Sequence, residues 1–392
     1  MRLGIITHLT HWTKDGKHWS RQDLVRQMDF CFAPWLEEIV MVVPFSRGDV
    51  PRGQLAYQST NISIHPVRQV LGSGLRKRLT KVALLPAASL DIMRAISRTD
   101  AFFIRFPGPK GIQTLALLCS MFSRKPRLGI YLEQWDHYQG EPLGLRFVKW
   151  FLTSHLFKGY VVVLGEYAVF GPRALPTFST NITKSEVEAS RTFAVTKRLG
   201  GSPVRFVFVG RLSAMKGIET LLRAAKKLKE ETDLEFLVDI VGGGELEKDL
   251  LVLSDGLGLS DIVRFMGHRS ISDVWDFYKK AHIFVFPTLA EGWGRVLMEA
   301  MMYGLPCIST RISAIPEVIG NDERGLLVPP GDHIALAKAM LKLATDKELY
   351  LRQSRAARSW VVNYTLEDLS ELTRNILEKA WGRPLKTQSK ET

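Results

Sequence analysis

The sequence predicts an α/β protein built from two Rossmann-like domains, and three observations carry that expectation. A chain of 392 residues exceeds one ordinary core and suits two domains with a cleft between them. From about residue 204, short β-branched or aromatic runs alternate with helical periods, the pattern of a parallel sheet with crossover helices. Charge is also divided: residues 1–200 hold 27 Lys and Arg against 14 Asp and Glu, whereas residues 201–392 hold 26 of each, so the whole net charge of +13 lies in the first half. One neutral half beside one basic half indicates two different jobs, and the basic half is expected to meet something anionic.

Taken in order, the buried-strand candidates of the first half are 3–7, 38–44, 101–105, 128–132 and 160–164, with amphipathic segments between them. The polar stretch 177–203 is rich in turn and breaker residues and reads as the linker. In the second half the strands are expected at 205–209, 235–241, 262–266, 283–287, 306–309 and 326–328, and the helices at 218–229, 271–280, 295–303 and 333–344. The domains are accordingly expected at 1–190 and 200–364. Apolar spacing at Leu366, Leu369, Leu372 and Ile376 predicts a last helix, about 365–381, with a place against the first domain.

Composition narrows the class. Hydrophobic residues at 46% and charged residues at 24% exclude a disordered or fibrous chain. Cys31, Cys119 and Cys307 are odd in number and far apart, without a Cys-x-x-Cys or Cys/His cluster, so a reducing compartment and no structural zinc are expected. The N-terminus shows no signal-peptide pattern, and every longer apolar stretch is broken by Lys or His, so neither a leader nor a membrane span is expected.

Ligands in open parallel sheets bind beyond the carboxyl ends of the strands. After the strand at 205–209 comes GlyArgLeuSerAlaMetLysGly, residues 210–217, whose Arg211 and Lys216 flank the start of the next helix. A positive fork there can hold a diphosphate, assisted by the helix N-terminus; on those residues alone, two solvated cations remain the competing reading. After the strand at 283–287 comes ThrLeuAlaGluGlyTrpGlyArgValLeuMetGluAla, residues 288–300. Glu291 falls in the loop, Gly292 and Gly294 permit close backbone approach, and Glu299, eight residues on, is placed about two turns further along roughly the same side. Val296, Leu297, Ala300, Met301 and Met302 surround Glu299, so it is expected to be buried and to need a partner.

GlyArgLeu-x3-LysGly, IleValGlyGlyGlyGluLeu, PheMetGly, GluGlyTrpGly-x4-GluAlaMet, GlyLeuPro, IleProGlu and GlyLeuLeuValProProGlyAsp follow one another over residues 209–332. This series resembles the retaining glycosyltransferases of family four, of the bacterial surface-polysaccharide type. The resemblance is strong over roughly the C-terminal third and extends to the first half only in outline. It implies the GT-B fold, two Rossmann-like domains facing across a deep cleft, and transfer of a sugar from a nucleotide diphosphate sugar. By the same resemblance Arg211 and Lys216 hold the donor diphosphate and Glu299 the ribose. Glu291 lies beside the transferred sugar, and Gly210, Gly267, His268, Gly292, Trp293, Gly294, Arg295 and Val296 complete the donor site.

The first half departs from the family pattern. Where many relatives have a Gly-Gly loop after the first strand, this chain has ThrHisTrpThrLysAspGlyLysHisTrp, residues 10–19, with Gly16 alone. Where many have a His after the fourth strand, it has GluGlnTrpAspHis, so Glu133, Asp136 and His137 join Gly16 and Arg105 as acceptor or sugar candidates, with ordinary polar surface as the competing reading. No Asp-x-Asp occurs, so no metal and no cofactor are expected, and fixed cations are left to neutralise the diphosphate.

A binding protein, either degenerate or basic and directed to nucleic acid, is the rival class. The intact Arg211, Lys216, Glu291 and Glu299 weigh against degeneracy, and no reader motif suggests nucleic acid. A dehydrogenase is disfavoured because Gly242, Gly243 and Gly244 run into GluLeuGlu instead of a spaced third glycine. The expected partners are a nucleotide sugar, a glycan or lipid-linked acceptor, and an anionic membrane surface. The membrane candidates are the basic segment 74–82, with Arg76, Lys77, Arg78 and Lys81, and the aromatic-basic segment 145–158. The expected location is cytoplasmic, peripheral on the membrane face.

Overall fold

The structure, a computed structural model, describes residues 1–51, 53–68, 75–106, 112–136, 141–165 and 172–385, with the backbone alone for 75–83. The chain divides into two compact units: residues 1–181 with 366–392, and residues 182–365.

The first unit opens with β1 (Arg2–Ile6), β2 (His11–Lys14), β3 (Lys17–Arg21) and α1 (Gln22–Gln27), which continues as a wider turn over Met28–Phe32. Next come β4 (Glu38–Val43), β5 (Phe45–Ser46), β6 (Gln54–Ala56), β7 (Ile62–Pro66) and α2 (Leu75–Arg98). The series β8 (Ala101–Phe106), α3 (Ile112–Ser120), β9 (Arg127–Tyr131), α4 (Leu143–Thr153), β10 (Tyr160–Leu164) and β11 (Ala174–Thr177) completes it. Seven strands form a parallel sheet in the order β11-β10-β9-β8-β1-β4-β7. The five strands expected from apolar runs are all present. β7 and β11 were not foreseen: they are edge strands whose mixed burial gives no continuous apolar run. A second sheet, β5-β2-β3-β6, is also new.

The second unit begins with α5 (Lys184–Ala189) and α6 (Arg191–Thr196). It proceeds through β12 (Val204–Val209), α7 (Ile218–Glu231), β13 (Phe236–Val241), α8 (Glu247–Gly256) and β14 (Val263–Gly267). Then follow α9 (Ile271–Lys280), β15 (Ile283–Phe286), α10 (Arg295–Met302) and β16 (Cys307–Thr310). α11 (Ile315–Ile319), β17 (Gly325–Val328), α12 (His333–Thr345) and α13 (Lys347–Val361) close the unit. Its six parallel strands run β14-β13-β12-β15-β16-β17, so the order reverses between β12 and β15. All six strands and all four helices expected here are present, each within one or two residues at either end.

The division falls at Asn181/Ile182, earlier than the 1–190 and 200–364 limits read from composition. The reason is that much of the polar 177–203 stretch folds as α5 and α6 and docks onto the second unit. Thr183 closes a capping box on α5, the Ser190 hydroxyl donates to Met302 O at 2.9 Å, and Arg358 reaches Val187 O at 2.9 Å. Turn-forming residue types mark helix caps as readily as linkers.

The last helix, α14 (Leu366–Trp381), belongs to the first unit. Leu366, Leu369, Ile376 and Leu377 enter the core on one face of its large sheet, together with Leu24, Met28 and Trp35. Trp35 Nε1 donates to Ser370 Oγ at 3.0 Å. The other face is covered by α2, α3 and α4 through Ile92, Ile96, Leu117, Phe151 and Leu152. The three cysteines are buried and free.

Candidate functional site

In the second unit, the loops after β12 and β15 meet where the strand order reverses, the place at which open α/β sheets bind ligands. Close backbone contact joins them. Leu289 N donates to Met215 O at 2.8 Å and Thr288 Oγ1 to the same carbonyl at 3.0 Å. Gly217, the N-cap of α7, sits at φ 65, and a Cβ there would lie 1.9 Å from Pro287 O. Only glycine satisfies both demands. The glycines after β13 serve the same purpose: a Cβ on Gly242 would meet Gly210 O at 1.9 Å and one on Gly244 would meet Leu212 O at 2.3 Å.

These loops bring Lys216 and Glu291 together. Lys216 Nζ donates to Glu291 Oε2 at 2.6 Å, with each side chain 22% exposed. The ammonium also lies 5.3 Å from the centre of the Phe286 ring. Glu291 Oε1 accepts from the Gly292 amide at 3.2 Å, which fixes the carboxylate at two points. Arg211 is not part of this pair. Its side chain is 73% exposed and bonds Glu245 across the glycine loop, Nη2 to Oε2 at 3.2 Å.

α10 begins immediately beyond Glu291. Gly294 is its N-cap at φ 77 and offers no side-chain cap, while Leu297 N turns back to Gly294 O at 2.8 Å; the N-terminal end of a helix is the end that favours an anion. Glu291 lies in the loop before this helix, so the two-turn spacing to Glu299 does not describe their relation; Glu299 is one turn into α10 and half-buried. The partner its burial demanded is Tyr278 on α9, whose hydroxyl donates to Glu299 Oε2 at 3.3 Å.

The Trp293 side chain lies in the core. It is buried, and its indole N–H points to Met298 Sδ at 3.0 Å, with the ring 6.5 Å from that of Tyr364. Its side chain packs in the core with Met298 and Tyr364. Gly292 is held from its carbonyl side by Ser313 Oγ at 3.2 Å. Gly210 and Gly267 stand at the ends of β12 and β14, and Gly267 O accepts from Gly242 N at 2.9 Å. His268 follows β14, with its Cβ 3.7 Å from the Cβ position of Gly243. Neither Tyr278 nor Glu245 was found by sequence reasoning; the acidic residue after three glycines was the signal for Glu245, and Tyr278 carried none.

In the first unit the order also reverses, between β1 and β8. Arg105, near the end of β8, donates from Nη1 to Gln27 Oε1 at 2.8 Å. His8 follows β1 and its Nδ1 accepts from Gln113 Nε2 at 2.7 Å. Burial, together with the cations Arg105 and Arg21, pulls the His8 imidazole down to about 4, so it is neutral at pH 7. Glu133 and Asp136 are exposed beyond β9; Glu133 lies within electrostatic reach of Arg21. His137 falls outside the described residues. Among the described residues, the buried Oε1 atoms of Gln113 and Gln134 have no hydrogen-bond partner.

Gly16 is not in a strand-end loop. Residues 11–21 form a hairpin, β2 and β3, turned by Asp15 at φ 52 and Gly16 at φ 72. No atom lies within 4 Å of a Cβ built on Gly16. Its glycine is a turn requirement, and the Asp-Gly pair was the available hairpin signal. Within the hairpin, His11 Nδ1 donates to Leu9 O at 2.9 Å, so its Nε2 accepts from Tyr57 OH at 2.8 Å.

Comparison with known proteins fits this geometry. Residues 193–360 match the family Glycosyl transferases group 1. The chain is 31% identical over 179 residues to D-inositol 3-phosphate glycosyltransferase of Corynebacterium jeikeium, covering 44% of this chain and 42% of that one. It is 32% identical over 193 residues to the amylovoran biosynthesis glycosyltransferase AmsK of Erwinia amylovora, covering 47% of each. The matches thus span a little under half the length of these relatives. Among solved structures, Anabaena Alr3699/HepE in complex with UDP and glucose superposes with a TM-score of 0.64 at 15% identity, over 96% of this chain and 98% of that one. The chain has the GT-B fold, and most of its second unit is similar to the glycosyl transferases group 1.

Proposed function

We propose that this protein is a retaining, metal-independent glycosyltransferase that moves a sugar from a nucleotide diphosphate sugar to a glycan or lipid-linked acceptor in polysaccharide or glycoconjugate biosynthesis. The observation that carries the reading is the Lys216–Glu291 pair at the β12/β15 reversal, directly before the N-terminal end of α10. Lys216 and the α10 amides take the diphosphate, Glu299 takes the ribose, and Glu291, held by Lys216 and the Gly292 amide, flanks the sugar. In transfer, the bond from the anomeric carbon to the phosphate oxygen breaks while the acceptor oxygen bonds to that carbon on the same face. The acceptor proton passes to the departing phosphate oxygen. Lys216 offsets the charge that develops there. The absence of an Asp-x-Asp supports a step neutralised by fixed cations, with Arg211 joining them when it exchanges Glu245 for phosphate.

In the first unit, Arg105, Glu133 and Asp136 remain acceptor candidates, and the Oε1 atoms of Gln113 and Gln134, without a partner among the described residues, are acceptors suited to sugar hydroxyls. This unit carries 28 Lys and Arg against 17 Asp and Glu, whereas the second carries 25 against 23. α4 and the turn after α3 expose Leu143, Phe147, Trp150 and Phe122 at 78%, 38%, 56% and 83%. Among the described residues no helix is long and apolar enough to cross a membrane. A basic unit with exposed aromatic groups supports peripheral binding at an anionic membrane on the cytoplasmic side. The side chains of the basic segment 74–82 lie outside the described residues.

Hydrolysis of a panel of nucleotide sugars by the purified protein tests the reading. One sugar nucleotide is expected to turn over, with the rate unchanged in excess EDTA. No turnover of any donor would leave a binding protein, and loss under EDTA restored by Mg or Mn would overturn metal independence. Co-sedimentation with anionic but not neutral vesicles, abolished by high salt, tests the membrane reading separately.

A further inference from the structure

The carboxylate of Glu299 is held from behind by a residue that no motif names. Tyr278 is fully buried, and its hydroxyl reaches Glu299 Oε2 at 3.3 Å. Its ring cannot swing away: it stacks on Tyr303 with centroids 5.9 Å apart and meets Phe284 edge-on at 5.8 Å. The backbone beneath it is pinned too. Lys197 Nζ donates to the carbonyls of Tyr278, Lys279 and Ala281 at 2.9, 2.6 and 2.6 Å, closing the C-terminal end of α9. Lys197 is itself 8% exposed. A phenol in this setting remains a donor, because burial and the Glu299 charge both push its ionisation far upward.

We propose that Tyr278 is a positioning residue for nucleotide recognition, orienting the Glu299 carboxylate toward the ribose hydroxyls, with Lys197 fixing the helix end that carries it. This rests on the assignment of Glu299 to the ribose. A carboxylate accepting one fixed hydrogen bond loses rotational freedom before the ligand arrives, so less ordering remains to oppose binding. Tyr278 acts only through Glu299, so its effect should be confined to ligands that have ribose hydroxyls.

That restriction supplies the test. UDP, GDP and ADP are titrated calorimetrically against wild type, and the tightest is compared with its 2′,3′-dideoxy analogue. Glu299→Gln should weaken the ribonucleotide but not the dideoxy analogue. Tyr278→Phe, which removes one oxygen and keeps the ring, should repeat that pattern at about three- to tenfold, the range of one net hydrogen bond. In the Glu299→Gln background it should add nothing. If Glu299→Gln does not discriminate the two ligands, the ribose assignment fails and the proposal falls with it. If Glu299→Gln discriminates but Tyr278→Phe leaves affinity unchanged, or weakens both ligands equally, the proposal alone is overturned and Tyr278 is a packing residue.

Discussion

The two units share a parallel, helix-flanked sheet and a reversal of strand order, yet they present chemistry differently. In the second unit the strand-end loops are drawn into mutual contact by glycines, and Lys216, Glu291 and Glu299 are each held by a fixed partner. In the first unit the corresponding ends carry Arg105, His8 and exposed Glu133, and the segment after β1 leaves the sheet as a hairpin. On the proposed reading, the difference teaches that a site for a common ligand, such as a nucleotide diphosphate, is built from backbone approach and a few fixed charges. A site for a particular acceptor is built from side chains on variable loops.

The sharpest test of that contrast compares two glycines. Gly217→Ala forces a Cβ to 1.9 Å from Pro287 O at φ 65, so unfolding free energy should fall by at least roughly 3 kcal/mol. Gly16→Ala meets open space at φ 72 and should cost only about 1 to 2 kcal/mol. Denaturant titration of both variants decides it, and equal losses would mean that the loops of the second unit relax as freely as a hairpin tip.

The next largest effect belongs to the first unit and to pH. Burial pulls His11 from 6.5 to about 4. The unfolded chain therefore binds a proton between those values that the native state refuses. Stability is full above pH 6.5 and falls as pH drops toward 4, by roughly 3 kcal/mol for this group. Thermal melts of wild type and His11→Asn across that range should show a shallower slope in the variant; parallel curves would assign the acid sensitivity elsewhere.

Within the second unit, Lys216→Ala should lower kcat/KM by the roughly 1.5 to 3 kcal/mol of a charged hydrogen bond, about 10- to 100-fold. Arg211→Ala should leave thermal stability almost unmoved, because its exposed pair with Glu245 contributes only about 0 to 1 kcal/mol. On the proposed reading, any kinetic loss in Arg211→Ala then reports lost contact with the donor. A larger kinetic loss for Arg211 than for Lys216 would reverse the ranking that the geometry gives.

The four central strands of the second unit were legible because they are buried almost throughout, which writes a short continuous apolar run between turn residues; the edge strands β14 and β17 are only partly buried and were legible from apolar residue types alone. The same logic found the five central strands of the first unit and missed β7, β11 and the hairpin sheet, whose half-exposed residues carry a weaker period. Lys216, Glu291 and Glu299 were legible as residue types at fixed spacing after strand ends. Their partners divide by distance: the Gly292 amide is the next residue, whereas Tyr278 is 21 residues from Glu299 and Lys197 is 81 to 84 from the carbonyls it closes.

The sequence by itself therefore determined the alternating elements, the charge division and the candidate anion-binding residues, since each depends on local pattern or composition. Only the tertiary structure decided that Trp293 turns into the core, that Arg211 pairs with Glu245 while Lys216 pairs with Glu291, that α5 and α6 join the second unit, and that Tyr278 stands behind Glu299. Those outcomes depend on which distant surfaces the sheet order brings together, and a one-dimensional pattern carries no record of that proximity.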